Sequence, residues 1–109
     1  MKFLIIIIHL LTFSFATFAK EDFKLKKITD LNNPWSLTFI SNEEVFVSDK
    51  EGEILLVNIN NGSKKQVKHN LNFKVDGQGG LLEIIKHKDH VYMCYTEDRG
   101  SGKTSTSIA

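Results

Sequence analysis

A single cysteine, Cys94, excludes an intrachain disulfide from this 109-residue chain. Even in an oxidising compartment, the fold must then rest on packing. Cys94 lies inside Val91-Tyr92-Met93-Cys94-Tyr95, where a buried small apolar residue is a better reading than a reactive thiol. Long apolar runs are also missing. Phe3 to Leu11 is apolar apart from His9, too short to span a bilayer well, and Lys20-Glu21-Asp22 stops it. Met1-Lys2 precedes that run, and Ser14, Ala16, Thr17 and Ala19 follow it. Residues 1–19 therefore read as a secretory signal peptide cut after Ala19, with a cut after Ala16 as second choice and an uncleaved anchor as third. An exported, periplasmic or secreted protein with no membrane span after cleavage follows.

An excess of one charge is absent too. Removing residues 1–19 leaves 109 − 19 = 90 residues and takes away Lys2, so Lys+Arg falls from 14 to 13 against 13 Asp+Glu. A neutral mature chain with no basic patch and no interleaved aromatics argues against nucleic acid as a partner. There is no Gly-x-Ser-x-Gly elbow for serine hydrolase chemistry. Gly102-Lys103-Thr104 looks like the end of a phosphate-binding loop, but Glu97 stands where that motif requires its first glycine. His87, Asp89 and His90 read as a solvated turn in preference to a metal site, which needs three or four ligands held by further contacts. No metal-ligating and no catalytic residue is assigned.

What is present is a series of short strands, with no convincing helical period after residue 19. Phe23 to Ile28 alternates like a half-exposed strand. Asn32-Asn33-Pro34 breaks it, and Trp35–Ile40, Val45–Ser48, Glu53–Ile59 and Lys64–Leu71 follow, separated by turns. Asn61-Gly62-Ser63 matches a glycosylation sequon, although an Asn-Gly hairpin turn accounts for the same residues. Trp35 is expected to anchor the core of the first meander. The pattern then restarts: adding 45 carries Pro34–Ile40 onto Gly79–Ile85, and adding 46 carries Val45-Phe46-Val47 onto Val91-Tyr92-Met93. Four-stranded meanders at this period are the signature of β-propeller blades. The continuous apolar runs Ile54–Val57 and Val91–Tyr95 imply strands covered on both faces. Propellers close with about four to eight blades, and 90 residues supply two. The chain is therefore expected to be the N-terminal part of a longer all-β protein, residues 20–109 covering about its first two blades.

The stretch richest in chemistry is Asp76-Gly77-Gln78-Gly79-Gly80-Leu81-Leu82, one glutamine among three glycines at the mouth of an apolar strand. Without a Cβ, Gly77, Gly79 and Gly80 permit positive φ and close approach of a planar ligand. The Gln78 amide offers one acceptor and two donor hydrogens to a ligand rich in oxygen. A plain turn into the strand remains the competing reading of these residues.

Asn33-Pro34-Trp35-Ser36-Leu37, Val45–Asp49 with Gly52, Gly77–Leu82 and Val91–Thr96, in this order, resemble the start of the PQQ-dependent sugar dehydrogenases, the glucose/sorbosone and aldose dehydrogenase family. The resemblance covers roughly residues 30 to 109. It implies a six-bladed propeller, pyrroloquinoline quinone (PQQ) in a central cavity, calcium ions, and oxidation of aldose sugars by hydride-equivalent transfer from C1 to the quinone. It also implies that Gln78 lines the cofactor and substrate pocket. The general base belongs to a His-x-x-Gly-Arg-Leu type segment that these residues do not contain, and neither the sugar nor the electron acceptor is specified. Where the family often has His-Pro-Asp-Phe, this chain has His87-Lys88-Asp89-His90, so the local turn differs. A non-catalytic secreted propeller that binds glycans or protein partners is the alternative, and a propeller hydrolase a third reading, because the fold alone fixes no activity. Intact-mass measurement of the exported protein checks the leader: a mature N-terminus at Lys20 is expected, one at Thr17 moves the cut to Ala16, and retention of Met1 refutes cleavage.

Overall fold

Short runs of β-branched and aromatic residues between Gly, Asn and charged turns form strands. The computed structural model describes residues 23–109, and the expected leader over residues 1–19 lies outside them. Among the described residues seven strands are found: β1 (Pro34–Phe39), β2 (Glu44–Asp49), β3 (Ile54–Asn58), β4 (Lys64–Val67), β5 (Leu81–His87), β6 (His90–Asp98) and β7 (Thr104–Ile108). β1 to β4 make one antiparallel meander in sequential order, and β5 to β7 make a second. Among the described residues no helix is long and apolar enough to cross a membrane.

Period-two alternation assigns the faces of the first sheet. Leu37 pairs with Val47, and Val47 with Leu55, so these share one face; Ser36, Ser48 and Ile54 share the other, with Phe46. The Val45, Val47 and Val57 side chains form a small core on the first face with Leu31, Leu55 and Ile59. The second face meets the next sheet. Leu81, Ile84, Met93 and Tyr95 pack there with Phe46, Ile54, Leu71 and Phe73. Leu81 and Ile84 are fully buried, each stabilising the junction by about 1.5–3 kcal/mol.

The repeat is real, with a corrected offset. In β1, Pro34 pairs with Asp49 and Leu37 with Val47; in β5, Leu81 pairs with Tyr95 and Ile84 with Met93. Both first strands thus carry the same bulge, three residues advancing opposite two, and β1 maps onto β5 by 47 residues while β2 maps onto β6 by 46. An offset of 45 is two short. A slip of two preserves side-chain parity, so the hydrophobic pattern hides it.

Other expectations change as well. Phe23 to Ile28 is not a strand: Phe23 and Leu25 are fully solvated, and alternation without a partner edge among the described residues makes no ladder. The fourth strand ends at Val67, short of Leu71, because His69 and Leu71 turn inward toward the junction. Trp35 is not a core anchor. It is half exposed at the bulge of β1 and borders a shallow apolar hollow with Leu31, Pro34 and Leu37. Nor are both faces covered along Val91–Tyr95, since Val91 and Tyr92 are exposed.

Two apolar surfaces remain open. On the first sheet Leu37 (55%) and Phe39 (60%) border an apolar groove of about 240 Å³, and on the second Ile85, Tyr92 and Ile108 are exposed. Such surfaces give an isolated pair of sheets little cooperative stability. Residues 20–109 produced alone are expected to give a broad urea curve by Trp35 fluorescence; a sharp two-state transition would contradict this.

Candidate functional site

Asp76 to Gly79 form a tight turn leading into β5. The Gly79 N–H donates to the Asp76 carbonyl at 2.7 Å, and Gly77 at φ +55° holds the first central position. Positive φ there followed by an ordinary residue is the pattern of a II′-type turn, which places glycine first. Gln78 takes the second central position and is exposed.

The three glycines serve different purposes. Gly77 and Gly80 have positive φ, and Gly79 does not. A Cβ on Gly80 would stand 2.2 Å from the Lys50 carbonyl oxygen, and one on Gly79 would stand 2.8 Å from Thr96 Oγ1. Close approach at these two positions is therefore approach of protein to protein. Only around Gly77 is there open space, with nothing within 4 Å of where a Cβ would be. The room for a ligand lies on the Gly77–Gln78 side of the turn.

The first sheet holds this turn in place. Asp49, 2% exposed at the end of β2, accepts from the Asn33 N–H at 2.8 Å and the Glu51 N–H at 2.9 Å. Its neighbour Lys50 donates its own N–H to the Asn33 carbonyl, accepts from the Leu81 N–H, and donates through Nζ to the Gly77 carbonyl. Thr96, the counterpart of Lys50 at an offset of 46, donates its N–H to the Gly80 carbonyl at 2.9 Å. Reading Ser48-Asp49-Lys50 only as a strand end and a turn missed these contacts. The signal that reveals them is the repeat, once Lys50 is matched with Thr96.

The other sequence candidates lie elsewhere. His87, Asp89 and His90 occupy the exposed β5–β6 hairpin, where Lys88 has φ +53°. No group of three or more possible metal ligands occurs among the described residues. Gly102-Lys103-Thr104 belongs to the β6–β7 hairpin, closed by the Arg99 N–H on the Lys103 carbonyl, with no helix after it. Cys94 is half-buried opposite Ile108.

The glycine turn therefore stands at the junction of two meander sheets, with one amide facing solvent. The family described as Glucose / Sorbosone dehydrogenase matches residues 31–109, most of the chain. The chain belongs to that family.

Solved structures agree with this. One glucose dehydrogenase is 27% identical over 72% of this chain and 24% of its own length, with a TM-score of 0.64. An aldose sugar dehydrogenase from Streptomyces coelicolor, solved in its PQQ-bound form, is 25% identical over 77% of this chain and 26% of its own, with a TM-score of 0.64. The soluble aldose sugar dehydrogenase of Escherichia coli, in its apo form, shares the fold at 23% identity, with a TM-score of 0.67 over 76% of this chain and 26% of its own. The chain thus spans about a quarter of the length of these structures. Among curated proteins, none matches.

In this chain the junction makes unequal demands on its glycines. Gly80→Ala forces a methyl group into the Lys50 carbonyl and is expected to destabilise the intact protein by about 3 kcal/mol or more. Gly77→Ala meets open space and pays only for its positive φ, about 1–2 kcal/mol. Denaturant midpoints of the two variants check the order, and equal losses would refute it.

Proposed function

We propose that the intact protein is an exported quinoprotein that oxidises aldose sugars, with PQQ as cofactor, in a six-bladed propeller that also binds calcium. The observation that carries this reading is the exposed Gln78 amide, set between glycines at the junction of two blade-like sheets in a member of the Glucose / Sorbosone dehydrogenase family. The PQQ-bound aldose sugar dehydrogenase among the similar structures supports the choice of cofactor.

The residues present suit a quinone on chemical grounds. PQQ is planar and carries quinone and carboxylate oxygens; the open side of Gly77 admits a flat ring, and the Gln78 amide supplies two donor hydrogens and an acceptor. When bound, the quinone supplies the two-electron acceptor that no side chain here provides. An amide does not titrate in the physiological range, so Gln78 binds and orients but takes no proton. Proton removal from the sugar hydroxyl falls to a base in a segment outside these residues. Calcium ligation falls outside them likewise.

The test begins with the coding sequence past codon 109. An open frame through several more blades, including a His-x-x-Gly-Arg-Leu segment, is expected, and its product should reduce a dye with aldoses when PQQ and calcium are supplied. A long frame lacking that base, with a product inert across a panel of aldoses, would favour the non-catalytic binding propeller.

A further inference from the structure

We propose that Lys50 is a positioning residue for Gln78: its ammonium fixes the peptide plane from which the Gln78 side chain projects. This rests on the reading of Gln78 as a quinone-binding residue.

A polar residue between two glycines has a loose backbone, because neither neighbour restricts rotation through a Cβ. The turn bond from Gly79 to Asp76 closes the loop, yet it leaves the peptide between Gly77 and Gln78 free to rotate. That peptide is planar, so its carbonyl and the Gln78 N–H move as one unit. Lys50 Nζ donates to this same carbonyl, from 27 residues earlier in the chain. Holding the Gly77 oxygen therefore fixes the N–Cα bond of Gln78 and leaves φ as the one backbone rotation that aims its Cα–Cβ bond.

The lysine is itself held. Its N–H is bonded to the Asn33 carbonyl at 3.0 Å, its carbonyl to the Leu81 N–H at 3.2 Å, and its neighbour Asp49 is buried with both carboxylate oxygens paired. Its aliphatic stem lies over Gly80, with Cγ 2.9 Å from where a Cβ would stand. Gly80 thus makes room for the stem whose end steadies Gly77. On the far side Thr96 packs against Gly79, so the turn is gripped between equivalent residues of successive sheets. Without the amine, the binding-competent orientation of Gln78 becomes one of several, and apparent affinity falls by the fraction of time it is occupied.

The experiment compares the complete protein with its Gln78→Ala, Lys50→Met and Lys50→Arg variants. PQQ affinity is measured by titration in the presence of calcium, and amide hydrogen exchange at residues 77–80 is measured in the quinone-free protein. Expected for Lys50→Met is PQQ binding weaker by about tenfold and exchange at Gly79, whose N–H closes the turn on the Asp76 carbonyl, faster by about tenfold, with the quinone-free unfolding midpoint unchanged and Lys50→Arg restoring both. Gln78→Ala should weaken PQQ binding at least as much. If Gln78→Ala weakens binding and Lys50→Met does not, the positioning role is wrong and the Gln78 reading stands. If Gln78→Ala binds PQQ normally, the Gln78 reading fails and this inference fails with it. A Lys50→Met protein with a lowered unfolding midpoint that arginine does not restore marks a merely structural lysine and also overturns the inference.

Discussion

Four hydrogen bonds to backbone groups of β5 join its edge to the sheet before it, and the rest of the structure depends on them. The Leu81 N–H donates to the Lys50 carbonyl, the Leu82 carbonyl accepts from Ser48 Oγ, the Ile84 N–H donates to Ser36 Oγ, and the Lys86 N–H donates to Thr38 Oγ1. β5 is the edge strand of its sheet, and an edge leaves every second N–H and carbonyl without a ladder partner. Short hydroxyl side chains can meet those groups without holding the sheets apart, and Ser36 accepts from the Ile84 N–H while donating to the side chain of Glu83 at Oε1, 2.8 Å away. Valine at 36 or 38 would keep the strand and strand the N–H groups opposite. The serine and threonine positions of β1 and β2 are where a strand of one sheet is adapted to the edge of the next.

That adaptation explains why the apolar pattern alone is not enough to specify the junction. Phe46 and Ile54 bring one sheet against Leu81, Ile84 and Met93 of the other, which removes apolar surface from water at the junction. Burial is non-directional and would tolerate sliding of the sheets. The hydroxyl contacts and the shared bulge remove that freedom, because each pairs one named atom with another. Outside this seam, His69 bonds the Gly52 carbonyl at 2.8 Å and meets the Phe73 ring edge-on, while Gly52 leaves the space that Phe73 fills. The connection from β4 to β5 is thereby tied to the same junction.

Much of the fold was legible because strand period and turn chemistry are local. Asn61-Gly62 marked the β3–β4 hairpin, and the β-branched and aromatic run Val45-Phe46-Val47 between two turns marked β2. What failed to read were features that depend on a partner. Residues 23–28 alternate as well as β1 does, but nothing among the described residues pairs with them. Trp35 is the largest side chain in the first meander, yet the bulge beside Pro34 leaves it half exposed. The repeat offset was two short because parity, the only thing the hydrophobic pattern reports, is unchanged by a shift of two. The place of Gln78 was legible as an amide among glycines. The roles of Gly79 and Gly80 were not, since they accommodate Thr96 and Lys50, distant in sequence.

The glycine stretch therefore meets two requirements with one run of residues. Gly80 exists in its conformation because β5 must start directly beneath the end of β2, where the Lys50 carbonyl fills the space a side chain would need. Once the strand starts there, the preceding turn has to stand beside Lys50, the residue that follows β2, and whatever occupies its exposed corner faces outward at the junction of two sheets. That corner is tied to the first sheet through the Lys50 contact to the Gly77 carbonyl, so its place depends on the seam and not on the loop's own stiffness. A turn built this way has its base fixed by the neighbouring strands and its corner tied by one long-range lysine contact.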